Sequence, residues 1–181
     1  VLSADQLIVG GDFHHLPIPD KAAGVSGVVE AYLPVGQHGI ISDIDVYLDI
    51  THSSVSDLKI ELSAPWGGAI VLKEDWPTPF RDPQCNMYGT IFDDDALVPL
   101  DKGQPPYTGI FQVVTGYSLA GFNGYDPYGI WTLRICDRAY YNTGTLDNWQ
   151  LYITHTPEPI SLAYVFLGGL LVRRYFKSRR P

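Results

Sequence analysis

Methionine occurs once and cysteine twice in this 181-residue chain. Cys85 and Cys136 form no CxxC pair and have no set of His ligands at metal spacing, so a zinc site is excluded. A disulfide between them is the simplest use and the expectation, with a pair of buried thiols as the other reading. A disulfide would need an oxidising compartment and, closing a loop of that length, would restrict the unfolded chain by about 4 kcal/mol. Basic residues are also scarce, 12 against 20 Asp and Glu, and Arg173, Arg174, Lys177, Arg179 and Arg180 crowd the C-terminus. The acidic remainder would repel a phosphate backbone, which excludes nucleic acid as a partner. Excess carboxylate suits either divalent cations or a solvated acidic surface. Low-complexity tracts are missing, and with 45% hydrophobic and 18% charged residues the chain can bury a core.

What is abundant points to strands. Glycine (18), proline (14) and tyrosine (12) suggest short β segments joined by many turns, and one domain is the expectation at this length. In 44–50 the apolar side chains recur at every second position, placing Ile44, Val46, Leu48 and Ile50 on one buried face. Leu58, Ile60 and Leu62 alternate with Lys59 and Glu61. The turn residues of 64–68 then lead into Ile70, Val71 and Leu72, which predicts a hairpin. Trp131, Leu133 and Ile135 share one face and Trp149, Leu151 and Ile153 another. The turn chemistry between them, at 142–144 and at Asp147 and Asn148, predicts a final hairpin. Strands with one wet and one dry face must stack dry side to dry side, so the pattern predicts an all-β, antiparallel sandwich of the jelly-roll sort with no helix in 40–154. Residues 1–39 form an N-terminal segment that is open to inclusion in the sandwich, 40–155 its body and 156–181 a tail.

The tail is polar, then apolar, then basic. Pro157, Glu158 and Pro159 precede an apolar run at 160–172, and the basic cluster follows from Arg173. The run is shorter than a comfortable bilayer span, but the flanking charge has the sign expected of a cytoplasmic end, and the arginines can snorkel. This predicts a short hydrophobic helix that anchors an exported body in a membrane. No basic segment with an apolar run behind it precedes Asp12, so any secretory signal is expected to lie outside this sequence or to have been removed already. The tail resembles the PEP-CTERM sorting signal of exported bacterial proteins, with Pro157, Glu158, Pro159, Arg173 and Arg174 as its marked residues. That resemblance implies a sorting peptidase as partner, transient membrane anchoring and a final place at the cell surface or outside the cell.

Several body segments stand in one order: TH at 51–52, DLKIELSAP at 57–65, FDDDA at 92–96, GFNG at 121–124, GIWTLRICD at 129–137 and TGTLDNWQL at 143–151. Together, over roughly 41–154, they resemble the P domain, or Homo B domain, that follows the catalytic domain of kexin- and furin-like subtilisin proteases. The resemblance implies a jelly-roll module that stabilises or regulates a neighbouring serine endopeptidase and is not itself an enzyme. No Gly-Thr-Ser nucleophile segment exists, and His38 reads as a loop residue. A detached part of a serine endopeptidase system is one rival reading.

Three groups remain as candidate sites. Asp93, Asp94 and Asp95 are the densest carboxylates. Calcium occurs in some P domains, so they are candidate calcium ligands, with Asp43, Asp45, Asp126 and Asp137 as contributors if the fold converges them; surface acids at a turn are the other reading. His52 and Asp57 flank a turn without a nucleophile, and the His14–His15 pair lacks further ligands, so both read as structural or surface groups. Trp66, Trp76, Tyr107, Tyr125, Tyr128, Tyr140 and Tyr141 fall in turns. They suggest either rings that cover an open end of the sandwich or a platform for carbohydrate or exopolysaccharide.

Overall fold

The computed structural model describes residues 4–76 and 86–156, and within them all side chains but those of 12–14. Nine strands follow in order: β1 (Asp5–Ile18), β2 (Gly27–Val35), β3 (Ile40–His52), β4 (Leu58–Ser63), β5 (Ala69–Lys73), β6 (Met87–Phe92), β7 (Gly109–Phe111), β8 (Gly129–Asp137) and β9 (Gly144–Thr156). They form a five-stranded sheet of order β1-β9-β3-β6-β7 and a four-stranded sheet of order β2-β8-β4-β5. The fold is an all-β sandwich. The helical turns among the described residues are three short 3-10 turns, Val55–Asp57, Leu100–Lys102 and Leu119–Phe122.

The period-two pattern explains the core. Ile44, Val46, Leu48 and Ile50 of β3 lie buried beside Leu146, Trp149, Leu151 and Ile153 of β9. Across from them, in the other sheet, are Trp131, Leu133 and Ile135 of β8 and Leu58, Ile60 and Leu62 of β4. Each fully buried Leu or Ile contributes about 1.5–3 kcal/mol of transfer free energy, and the two inner faces supply most of it. Strands β4 and β5 form the expected hairpin, with Leu62 opposite Ile70. Residues 5–35 belong to the sandwich: β1 pairs with β9, β2 pairs with β8, and Ile18, Ala31, Leu33 and Val35 are core residues.

Two expectations are corrected. Strands β8 and β9 do not form a hairpin, because β8 lies between β2 and β4 while β9 lies between β1 and β3 in the opposite sheet, and Asp147 and Asn148 are inside β9. Alternation reveals which face of a strand is dry; it does not reveal whether the next strand is a neighbour or lies across the core. The sandwich is also not purely antiparallel, since the short β7 pairs parallel to β6 at the edge of its sheet.

Gly144 makes the crossing from β8 to β9 possible. A Cβ there would sit 2.2 Å from the Thr51 carbonyl oxygen and 2.5 Å from His52 Cδ2, so only glycine lets β9 start against the end of β3. On the outer face of the four-stranded sheet a chain of ion pairs links Glu30, Arg134, Glu61, Lys59, Glu74, Arg138 and Asp75. This charged lattice lies on the face that carries Cys136, which is buried, and burial raises its thiol pKa. Cys85, the apolar segment 160–172 with its expected helix, and Pro157, Glu158, Pro159, Arg173 and Arg174 lie outside the described residues.

Candidate functional site

The acidic loop after β6 is built for packing. Asp94 reaches the N-terminus of the 3-10 turn Leu119–Phe122: its Oδ2 accepts from Ser118 Oγ (2.6 Å) and from Ala120 N–H (2.8 Å), and its Oδ1 accepts from Leu119 N–H (3.1 Å). Three donors fill that carboxylate and staple the loop to the turn. Asp93 turns back on its own loop, with Oδ1 accepting from Asp95 N–H at 2.7 Å.

The fold brings only two of the further candidates near this loop. Asp43 and Asp45 of β3 feel Asp93, Asp94 and Asp95, and both have raised pKa values. Burial is the first cause in each case, and the neighbouring carboxylates add to it. Asp45 is pushed up to about 7, and its Oδ1 accepts no hydrogen bond from the described residues. Asp126 and Asp137 stand apart, at opposite ends of β8. Among the described residues no three His, Cys, Asp or Glu side chains converge as a metal would require. Asp94 accepts three hydrogen bonds from the turn and an Asp93 oxygen accepts one from Asp95, so a calcium ion there, which needs six to eight oxygens, would draw on carboxylates that already hold the loop.

A buried polar cluster closes the end where β3 finishes. His52 and Asp137 are fully buried, and His52 Nε2 donates to Asp137 Oδ2 at 3.2 Å, since a carboxylate can only accept. Nδ1 of the ring lies against the Ser54 backbone, 2.8 Å from its oxygen and 3.1 Å from its nitrogen. Asp57 accepts from Asn142 Nδ2 at 2.7 Å, and Ser54 Oγ pairs with Ser56 Oγ at 2.9 Å. The partner of His52 is thus Asp137, which is 85 residues distant; no periodicity signals such a contact. A His–Asp pair is two-thirds of a hydrolytic triad, but this ring meets Ser54 through its backbone, and the pair is sealed from solvent. Its chemistry is that of a satisfied core network.

Sequence reasoning also missed Lys73. Its ammonium is fully buried, donates to Leu58 O (2.8 Å) and Glu74 O (2.9 Å), and lies 4.3 Å from the Trp76 ring centroid. Burial lowers its pKa to about 7 against the opposing pull of Asp75, Asp57 and Glu74. It lines a cavity of about 420 Å³ between β5 and residues 112–115, floored by Trp76, Leu100 and Val113.

The seven turn aromatics separate into three places. Trp76 and Tyr107 pack together at the flank, with Tyr107 buried. Tyr140 and Tyr141 sit just beyond the C-terminal end of β8, where Lys21 lies over the Tyr140 ring. At the opposite end Trp66 stacks on Tyr125 (4.8 Å) and lies nearly perpendicular to Phe122 and Trp131, and Tyr128 stacks on His38 (4.1 Å). Asp126 ties this end together, accepting from His38 Nδ1 (2.7 Å), Tyr128 N–H and Gly39 N–H. Burial alone would raise the Asp126 pKa, but these bonds outweigh it and hold the carboxyl below its ordinary range. His15, of the N-terminal His pair, is bound to Asp147 at 2.6 Å.

Residues 108–153 match the family model of the proprotein convertase P-domain. No curated protein sequence matches the chain. Among solved structures, the chain is similar to the serine protease of Aeromonas sobria, with 15% identity, a TM-score of 0.54 and coverage of 86% of this chain and 28% of that one. It is likewise similar to the complex of that protease with the chaperone ORF2, with 16% identity, a TM-score of 0.52 and coverage of 85% and 27%. The chain therefore spans little more than a quarter of the length of these structures, and what it shares with them is the two-sheet fold.

Proposed function

We propose that the chain is a non-catalytic accessory module of the kind that accompanies subtilisin-like serine proteases, with its sheets wound as a jelly roll. The observation that carries this reading is the P-domain match over 108–153, which takes in β7, β8 and most of β9. The sealed His52–Asp137 pair agrees with it, because a hydrolase needs its base open to substrate and beside a nucleophile. The partner is a serine-peptidase domain, linked or separate, whose folded state the module stabilises by binding it. The body is exported to the bacterial cell envelope, where Cys85 and Cys136 are oxidised to a disulfide. The segment 160–172 holds the body at the membrane until a sorting peptidase cuts near Pro157, Glu158 and Pro159.

The test is kinetic. A subtilisin-like peptidase domain from the same host is heated with and without the full chain, and its inactivation half-life is measured. The reading expects a longer half-life in a saturable, concentration-dependent manner, whereas an unchanged half-life with every peptidase of the host contradicts it. The C-terminus of the mature protein and the free-thiol count of the exported form check the tail and the disulfide.

A further inference from the structure

We propose that the end of the sandwich formed by Trp66, Tyr125 and Tyr128 is a binding site for neutral, hydroxyl-rich polysaccharide. Tyr125 is stacked on Trp66 with planes 11° apart, and Tyr128 on His38 with planes 12° apart. Stacking covers one face of a ring and leaves the other, which agrees with exposures of 51% for Tyr125 and 53% for Tyr128. Two tyrosines three residues apart are thus half-exposed, each backed by a second ring.

The rings are also held still. Trp66 makes perpendicular ring contacts with the core rings of Phe122 and Trp131, whose indole N–H donates to Pro127 O at 2.9 Å. Asp126 fixes the loop between the two tyrosines through His38, Gly39 and the Tyr128 backbone. Ordering a ring costs little when it is already ordered, so a ligand laid across them loses less of its binding free energy to conformational entropy. A pyranose ring presents C–H groups on its face and hydroxyls around its rim. It can stack on the aromatic faces while its hydroxyls meet water and the tyrosine hydroxyls.

Charge selects the class of sugar. The chain carries a net charge of −8 and the carboxyl of Asp126, held at the Tyr128 backbone, adds negative charge at this end, so uronic-acid and sulfated polymers are repelled and neutral ones are not. The other turn aromatics do not share this geometry: Tyr107 is buried, and Tyr141, 94% exposed, has only a tilted contact with Tyr140. This site is independent of the accessory role, so either can fail alone.

The experiment uses the full chain in affinity electrophoresis and calorimetry against soluble neutral gluco-, manno- and galacto-polysaccharides, with alginate as the acidic comparison. Retardation by at least one neutral polymer and none by alginate is expected. Tyr125→Ala and Tyr128→Ala should each weaken binding about tenfold, while Tyr125→Phe and Tyr128→Phe, which keep the ring face, should stay within about threefold. Tyr141→Ala, at the opposite end, should change nothing. Trp66→Ala is a poor probe because it opens a hole against Phe122 and Trp131. No retardation by any neutral polymer overturns the proposal, as does binding that survives both alanine substitutions or is strongest for alginate. Loss of peptidase stabilisation on Tyr125→Ala with no polysaccharide bound would assign the same rings to a protein partner and also overturn it.

Discussion

Asp45 and Lys73 are the two side chains whose ionisation the fold resists most visibly, and they pull stability in opposite directions with pH. For Asp45, raised to about 7, the native state binds more protons than the unfolded chain between about pH 4 and 7, so its contribution is lost as pH rises through that window. Asp45→Asn should therefore leave stability unchanged near pH 4 and raise it at pH 8. Because the residue is only partly buried and its charge is screened, a gain of about 1 kcal/mol is expected. For Lys73, lowered to about 7, the unfolded chain binds more protons between about pH 7 and 10, so stability rises with pH across that range. Lys73→Met should flatten this rise. Urea denaturation of the three proteins at pH 4, 6, 8 and 10 checks both signs; parallel curves would show that neither group is linked to folding. The sequence offered Asp45 only as a contributor to a calcium site and did not single out Lys73, because both shifts come first from burial under other parts of the fold, with Asp93 adding to the effect on Asp45.

Among the elements, the strands of the body were legible because burial imposes alternation. Ile44 to Ile50 and Leu58 to Leu62 fall on the faces their spacing predicts. Pairing was not legible, and β8 and β9 look like a hairpin until the sheets are seen to separate them. The acidic loop was visible as a cluster but not as a staple, since the turn it holds, Leu119–Phe122, lies about 25 residues further on. Asp94→Ala should remove three hydrogen bonds to that turn and lower stability by about 1–3 kcal/mol, equally with and without calcium. A loss of stability seen only in calcium would show that the carboxylate serves a cation. Gly144→Ala should be more damaging, by about 2–4 kcal/mol, because the added methyl meets the backbone of Thr51 and has nowhere to move. Thermal unfolding of both variants separates a lost cap from a steric block.

At the scale of the molecule, the fold places its chemistry-bearing residues where they serve the structure. The His52–Asp137 pair is sealed at one end, the ion-pair chain from Glu30 to Asp75 covers the outside of one sheet, and the stacked aromatic end is open to solvent. Among the described residues no helix is long and apolar enough to cross a membrane, so membrane attachment rests on the expectation for 160–172. The central claim is that this is a module without a nucleophile of its own, and the direct measurement is intact mass spectrometry of the purified full chain after exposure to a fluorophosphonate probe. The account predicts an unmodified mass at probe concentrations that fully label a subtilisin run in parallel. Stoichiometric addition of one probe molecule at a serine, abolished by His52→Ala or by denaturation, would contradict it.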